Sequence, residues 1–380
     1  MKTLKHHMPT KVIFGRKTFL KLKDECESAG LDTSKVAVIC GKSALRNGYA
    51  DFVKKQFENV ETFDDVMPDP SVELAKELTE KVKDFNPSLI VAIGGGSAID
   101  LAKVISGLLN NEGDVEEFIG VPECFKKPAV PLVAVPTTSG SGSEVTPYAV
   151  LTNKKEWKKA PLISSYLFPV IAIDDPELTV TMPPHVTANT GIDALTHCIE
   201  ALVSKRATPI SKLYSLEGIK LITKYLPRAF GNPRDIEARE KVMLGSMLGG
   251  MAITDAGAGL VHTLAHILGV MYDIPHGLAN AMFLSPVLEF YGLSAKDELL
   301  SIGRAMGIES SNVYEIVKKI EDFLRFLGKP ETLRPLGVSE DDISSFVSLA
   351  MAKKILMANL PRIPSEKDIR IILEKLLKSS

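Results

Sequence analysis

Between Lys11 and Asp175 five short runs, KVIF (11–14), KVAVIC (35–40), SLIVAI (88–93), PLVAV (131–135) and PVIAI (169–173), are rich in β-branched residues and most are apolar throughout. A strand with one wet face alternates polar and apolar residues, whereas one that is apolar along its whole length is buried on both faces, as in a parallel sheet covered by helices. Helical patterns at 17–29, 50–58, 71–84 and 97–110 fall between the runs. The alternation predicts an α/β domain with an open, doubly wound parallel sheet, Rossmann-like, whose ligands bind beyond the carboxyl ends of the strands. After TVTMPPHVT the character changes: from about Thr187 strand signals almost vanish, and helical patterns broken by Gly and Pro run to Leu377. The reading is two domains, an α/β domain over 1–179 and an all-α domain over 180–380, and 380 residues suffice for two ordinary cores.

Composition narrows the class of partner. With 45% hydrophobic residues, 24% charged residues and a net charge of −2, the chain has the balance of a soluble globular protein and no surplus of positive charge for nucleic acid or an anionic membrane. No run approaches the roughly 18 apolar residues of a membrane span, and MKTLKHHMPT lacks the apolar stretch of a signal peptide, so a cytoplasmic address is expected. Cys26, Cys40, Cys124 and Cys198 are scattered without a CxxC, which points to neither a disulfide framework nor a thiolate metal site. Cys198 reads as a buried structural thiol, and His6 and His7 as solvated. No internal repeat or low-complexity segment is found.

Two loops carry nucleotide chemistry. In IGGGSAIDLAK (93–103) a strand ends at Ile93 and three glycines remove every Cβ where a ligand approaches. Ser97 is expected to cap a helix whose terminal amides and dipole favour a phosphate. In VPTTSGSGSEVTPY (135–148) hydroxyl residues and glycines crowd the end of another strand, and exposed amides and hydroxyls suit a diphosphate or ribose. Either loop alone could be a structural turn or a polar linker; together at neighbouring strand ends they indicate a dinucleotide. At the end of KVAVIC, where NAD-selective sites usually place an acid for the ribose 2′-OH, the chain has Gly41-Lys42-Ser43 with Arg46 close behind. Glycine makes room for a 2′-phosphate and the cations bind it, so NADP(H) is favoured over NAD(H).

The second half carries a metal-ligand pattern. Asp193 and His197 are four apart in NTGIDALTHCIEAL, His262 and His266 repeat that spacing in GLVHTLAHILGV, and His276 follows the break YDIP, so four of the seven histidines fall in this segment. Residues four apart share a helix face. A lone histidine on an apolar helix is usually a satisfied core residue, but this concentration suggests three imidazoles and a carboxylate around one ion, with the fourth imidazole working beside it. Four N/O ligands would complete a tetrahedral zinc site, whereas a metal that takes five or six ligands can still accept substrate, which makes Fe(II) the first choice with Zn(II) or another divalent ion as substitutes.

These residues resemble the iron-containing (group III) alcohol dehydrogenases. The likeness spans nearly the whole chain: MPTKVIFG, MPDPSVE (67–73), GGGSAIDLAK, PTTSGSGSEVTPYAVLT, IDDPELT (173–179), TGIDALTHCIEA, LVHTLAHILG, YDIPHGLANA and LGKPETLRPLGV. The resemblance implies the dehydroquinate synthase-like fold, with a dinucleotide-binding domain before a helical metal-binding domain, a cleft between them, and usually a homodimer. It places the metal ligands on Asp193, His197, His262 and His276, and the nicotinamide-proximal catalytic histidine on His266. Cofactor contacts map onto Gly95, Gly96, Ser97, Thr137, Thr138, Ser141, Thr146, Lys159 and Leu178, and Asp69, Asp100 and the Gly41-Lys42-Ser43 turn are counted with them. Ser141 stands where threonine is commoner, Asp69 and Asp255 where asparagine is frequent, and Ile253 where an aromatic is frequent.

The expected reaction is reversible hydride transfer between NADP(H) and a primary alcohol or aldehyde, a short-chain alcohol or diol for example, with the metal as Lewis acid and His266 relaying the proton. Two rivals stand beside it. A polyol (glycerol-type) dehydrogenase uses the same scaffold; a phosphorylated substrate would call for Arg or Lys near the metal, and 250–280 contains none. A non-redox metalloprotein would have no use for the nucleotide loops.

Overall fold

The computed structural model describes residues 4–153 and 158–378. The chain separates into two compact units, His7–Thr181 and Met182–Ser380 with Met1–His6.

The first unit contains strands β1 (Lys11–Phe14), β2 (Val36–Gly41), β3 (Val60–Val66), β4 (Leu89–Gly94), β5 (Leu132–Pro136), β6 (Tyr148–Asn153), β7 (Lys158–Ile163) and β8 (Ile171–Asp174). Between them lie helices α1 (Leu22–Ser28), α2 (Lys42–Arg46), α3 (Tyr49–Gln56), α4 (Val72–Phe85), α5 (Gly96–Leu108) and α6 (Val115–Phe118). Six strands form one parallel sheet in the order β1-β8-β5-β4-β2-β3. The five apolar runs are β1, β2, β4, β5 and β8. Burial alternates sides as a doubly wound sheet requires. Ala37, Ile39, Ile90, Ala92 and Ala134 pack on one face with Leu78 and Val82 of α4 and Leu101 and Ile105 of α5. Val36, Val38, Val91, Ile93, Val133 and Val135 pack on the other with Leu22 and Cys26 of α1 and Val53 of α3.

Three strands were not anticipated. The sequence of β3, VETFDDV, carries acids because β3 is an edge strand bonded only to β2, and among its residues only Phe63 is buried. Strands β6 and β7 form a separate antiparallel pair, YAVLTN with KKAPLI, for which no strand was expected beyond the loop VPTTSGSGSEVTPY.

The second unit is helical: α7 (Pro184–Val203), α8 (Pro209–Gly231), α9 (Ile236–Ala256), α10 (Leu260–Tyr272), α11 (His276–Tyr291), α12 (Lys296–Ala305), α13 (Val313–Phe326), α14 (Ile343–Ala352) and α15 (Glu366–Leu377), with short 3₁₀ turns. One extended core joins α7, α8, α10 and α11 with the later helices. The YDIP break is where Asp273 adopts φ 55° and Pro275 precedes the first residue of α11, which is His276. Gly277 lets α11 approach α7 closely: a Cβ there would lie 1.9 Å from the Asn189 carbonyl oxygen. Among the described residues no single helix is long and apolar enough to cross a membrane.

Candidate metal centre and nucleotide-binding loops

Helix α7 presents Asp193 and His197 on one buried face, α10 contributes His262 and His266, and α11 begins with His276. The Asp193 Oδ1 atom lies 3.4 Å from His276 Nε2, 3.5 Å from His262 Nε2 and 3.7 Å from His197 Nε2. Asp193, His262 and His276 offer ligand atoms all within 4.8 Å of one another. His197 joins them through Asp193 and stacks on His262 with ring centroids 4.6 Å apart. The His266 ring stands 5.1 Å from that of His276 and 6.2 Å from that of His262, beside the group.

The arrangement suits a divalent cation. Two donors each about 2.1 Å from a shared ion, at a tetrahedral angle, are about 3.4 Å apart, close to the 3.4–3.7 Å between Asp193 Oδ1 and each of the three imidazole nitrogens. The carboxylate is buried, and burial opposes its ionisation, yet His197, His276 and His262 around it hold the Asp193 carboxyl well below the usual range. Burial lowers the His197 imidazole to about 4, which favours the neutral ring that a metal needs. His262 is pushed the other way, to about 9: burial opposes the charge, but Glu200 and Asp193 outweigh it.

Two buried residues at this centre escaped the sequence reading. Asn280, one turn after His276 on α11, donates from Nδ2 to Asp193 Oδ1 at 2.8 Å, and its Oδ1 has no hydrogen-bond partner. Glu200 on α7 accepts from His262 Nδ1 at 2.6 Å and from the backbone N–H groups of Gly259 at 2.7 Å and Val261 at 2.6 Å. The available signal was spacing, since Glu200 follows Asp193 by seven and Asn280 follows His276 by four, each a same-face interval.

In the α/β unit the two loops meet. A Cβ on Gly95 would come within 3.0 Å of Thr138 Oγ1, and one on Gly96 within 2.8 Å of Ser141 Oγ, so the glycines allow the hydroxyl loop to pack against the start of α5. Thr137 N–H donates to the Gly94 carbonyl at 2.9 Å, fixing the second loop at the first strand end. Helix α5 has 13 residues and opens on Gly95 as N-cap without a side-chain cap. Ser97 is therefore not the cap expected from sequence; its Oγ accepts the Asp69 N–H at 3.2 Å instead. The terminal amides of α5 have no side-chain cap, an arrangement that favours an anion.

Several expected cofactor residues are engaged within this unit. Asp69, at φ 50°, pairs through Oδ1 with Lys159 Nζ, which also donates to Thr152 Oγ1 at 3.1 Å. Asp100 accepts from Ser143 Oγ and, at 2.9 Å, from Val150 N–H, and burial raises its pKa. Thr146 belongs to a cage around the buried Lys103, whose Nζ donates to Ser143 Oγ, Thr146 O and Oγ1, and Tyr148 O over 2.8–3.1 Å. Burial lowers the Lys103 pKa to about 8. Leu178 is buried, and its carbonyl accepts from Tyr49 Oη at 3.4 Å. Gly41 ends β2, Lys42 and Ser43 are exposed, and Lys42 Nζ lies 2.5 Å from Asp64 Oδ2, because the register Gly41↔Val66 brings the acids of β3 alongside.

Other expectations are corrected or met nearby. His6 is not merely solvated: its Nδ1 lies 3.0 Å from Asp255 Oδ2. His7 is exposed, and its ring stands nearly perpendicular to that of Phe168, with centroids 5.9 Å apart. Ile253 packs with Ala201, Ala252 and Ala256. All four cysteines are free and buried, and burial pushes the Cys198 thiol up to about 12.

Comparison with known proteins decides the family. The model for iron-containing alcohol dehydrogenase matches residues 9–176, and that for the C-terminal part of the Fe-containing alcohol dehydrogenase family matches 187–377. This chain belongs to the iron-containing alcohol dehydrogenase family. It is 36% identical to long-chain-alcohol dehydrogenase 1 of Geobacillus thermodenitrificans over 356 residues, 90% of each chain. It is 34% identical to alcohol dehydrogenase 4 of Schizosaccharomyces pombe, covering 96% of this chain and 87% of that one. A crystal structure of 1,3-propanediol oxidoreductase superposes with a TM-score of 0.92 at 31% identity, covering 99% of this chain and all of the other. As a member of the iron-containing alcohol dehydrogenase family, the protein is an oxidoreductase acting on alcohols.

Proposed function

We propose that the protein interconverts a primary alcohol, such as a short-chain alcohol or diol, and its aldehyde with a nicotinamide nucleotide, NADP(H) in preference to NAD(H), at a divalent metal centre for which Fe(II) is the first choice. The observation that carries this reading is the buried Asp193 carboxylate facing three imidazole nitrogens at 3.4–3.7 Å. Asp193, His197, His262 and His276 would hold the ion, which would supply Lewis acidity toward a substrate oxygen. A nicotinamide nucleotide, when bound, would carry the hydride.

The remaining work belongs to side chains and backbone. Helix α5 offers its N-terminal amides at Gly95, Gly96 and Ser97 to the diphosphate, and Thr137, Thr138 and Ser141 frame the same strand ends. His266, beside the ligand group without being one of its four members, exchanges the hydroxyl proton of the alcohol with solvent, since one ring nitrogen can accept a proton while the other gives one up. Gly41 leaves room for a 2′-phosphate. Lys42 reaches it by giving up Asp64, and an exposed ion pair is a weak competitor. The homodimer implied by the family resemblance belongs to the same reading.

The test is a panel of primary alcohols, diols and aldehydes assayed anaerobically with Fe(II) and each nucleotide. Turnover of a primary alcohol with NADP⁺ at higher kcat/KM than with NAD⁺ is expected. Absence of hydride transfer for every substrate would refute the proposal, and a preference for glycerol would favour the polyol reading.

A further inference from the structure

We infer that Glu200 is a positioning residue for the metal centre, orienting His262 and fixing which of its ring nitrogens faces Asp193; this rests on the proposed ligand set above. Asp193, His197 and Glu200 sit at positions i, i+4 and i+7 of α7, so one helix face carries two ligands and this second carboxylate. The Glu200 side chain is only 2% exposed and receives three N–H donors, all at 2.6–2.7 Å. Two are the amides of Gly259 and Val261 at the start of α10, where the helix dipole favours a negative group. The third is the ring of His262, one residue further on.

The chemistry follows from what a carboxylate lacks. It accepts hydrogen bonds and has none to give, so the His262 proton must sit on Nδ1. In the neutral ring that a metal needs, the lone pair is then on Nε2, the atom 3.5 Å from Asp193 Oδ1. One carboxylate thus sets the position of α10, the ring plane of His262 and its tautomer. Gly259 makes this possible, because a Cβ there would stand 2.7 Å from Glu200 Oε1 and displace the carboxylate. Ligating histidines commonly need such a partner for their second nitrogen.

The test uses the metal-stripped full-length protein and Co(II) with a competing chelator. Glu200→Gln keeps the shape but replaces an acceptor oxygen by a donor; Gly259→Ala keeps the carboxylate and pushes it aside. Both variants are expected to lose roughly 10- to 100-fold in Co(II) affinity. Titration with NADH, followed by nicotinamide fluorescence, should match the wild type in both. In ¹⁵N spectra of the apoprotein at alkaline pH, where the His262 ring is neutral, the wild type should show a proton on Nδ1 and none on Nε2, and the Glu200→Gln variant a redistributed tautomer. Wild-type Co(II) affinity in either variant overturns the assignment. So does a loss of affinity that only tracks a loss of folded apoprotein in thermal melts, which would make Glu200 a helix cap alone. A wild-type protein that binds NADH but no Co(II) overturns the metal reading itself and this assignment with it.

Discussion

Replacing Gly277 by alanine should disable the metal centre from the backbone side. A methyl carbon and a carbonyl oxygen need roughly 3.4 Å, whereas the added Cβ would lie 1.9 Å from Asn189 O, 2.5 Å from its carbonyl carbon and 3.0 Å from its Cα. All three are backbone atoms of α7, so no side-chain rotation relieves the overlap. Helix α11 must move away by about 1.5 Å. His276 adjoins Gly277, and a shift of that size directed away from α7 takes its Nε2 from 3.4 Å to as much as about 5 Å from Asp193 Oδ1. Donors on a common ion at about 2.1 Å cannot be more than about 4.2 Å apart, so His276 leaves the ligand set. Overpacking against rigid backbone belongs near the upper end of the usual range, about 3 kcal/mol. For a unit of this size that lowers Tm by roughly 6–12 °C. Chelator competition with Co(II) should show a loss larger than the roughly 10-fold minimum for disturbing an outer partner, while NADH binding is retained. Unchanged Co(II) affinity in a variant that melts early would refute the reasoning, because α11 would then have yielded without moving His276.

Other outcomes follow from the same structure. Gly96→Ala places a Cβ 2.8 Å from Ser141 Oγ and 2.9 Å from its Cβ, so NADH fluorescence titration should show weakened binding, which Ser141→Gly in the same chain restores. His266→Gln should lower turnover with a changed pH profile and leave Co(II) affinity within a few-fold; full turnover across pH would remove the proton-relay role. Burial pushes the Glu144 carboxyl up to about 7 from 4.5, so the fold binds that proton more tightly than the unfolded chain does. Its contribution to stability is complete below pH 4.5 and is lost as pH rises through 7, at no more than about 1.4 kcal/mol per pH unit. Denaturant unfolding of Glu144→Gln should therefore show a flatter profile between pH 5 and 7.

The parts of this protein visible in its sequence are those where one physical demand dominates. Strands β2 and β4 are buried on both faces, so their residues had to be apolar, and they read as strands without ambiguity. Strand β3 lies at the sheet edge, where Asp64 and Asp65 reach solvent and Lys42, and that polarity hid it. The hairpin β6–β7 follows a run of glycines and hydroxyls that signals a loop, and its first strand is held to α5 by the Val150 N–H bond to Asp100, a contact between distant residues that local pattern does not show. Asp193, His197 and His262 were legible because imidazoles and a carboxylate on apolar helices are costly to bury without a purpose. Glu200 and Asn280 carried only the weaker mark of same-face spacing, and their roles depend on the contacts of α7, α10 and α11. Ser97 shows the opposite failure, a good capping residue whose hydroxyl is taken by Asp69 from a distant loop.

The central claim is that alcohol oxidation here requires a divalent ion held by Asp193 and the three histidines. It is tested most directly by following nicotinamide absorbance during alcohol oxidation with protein stripped by chelator, before and after anaerobic return of Fe(II), in the wild type and in His262→Ala. The account predicts that the stripped wild type binds the nucleotide but transfers no hydride, that Fe(II) restores transfer, and that the variant stays inactive at the same Fe(II) concentration. Full hydride transfer by the stripped protein, or by the His262→Ala variant, would contradict it.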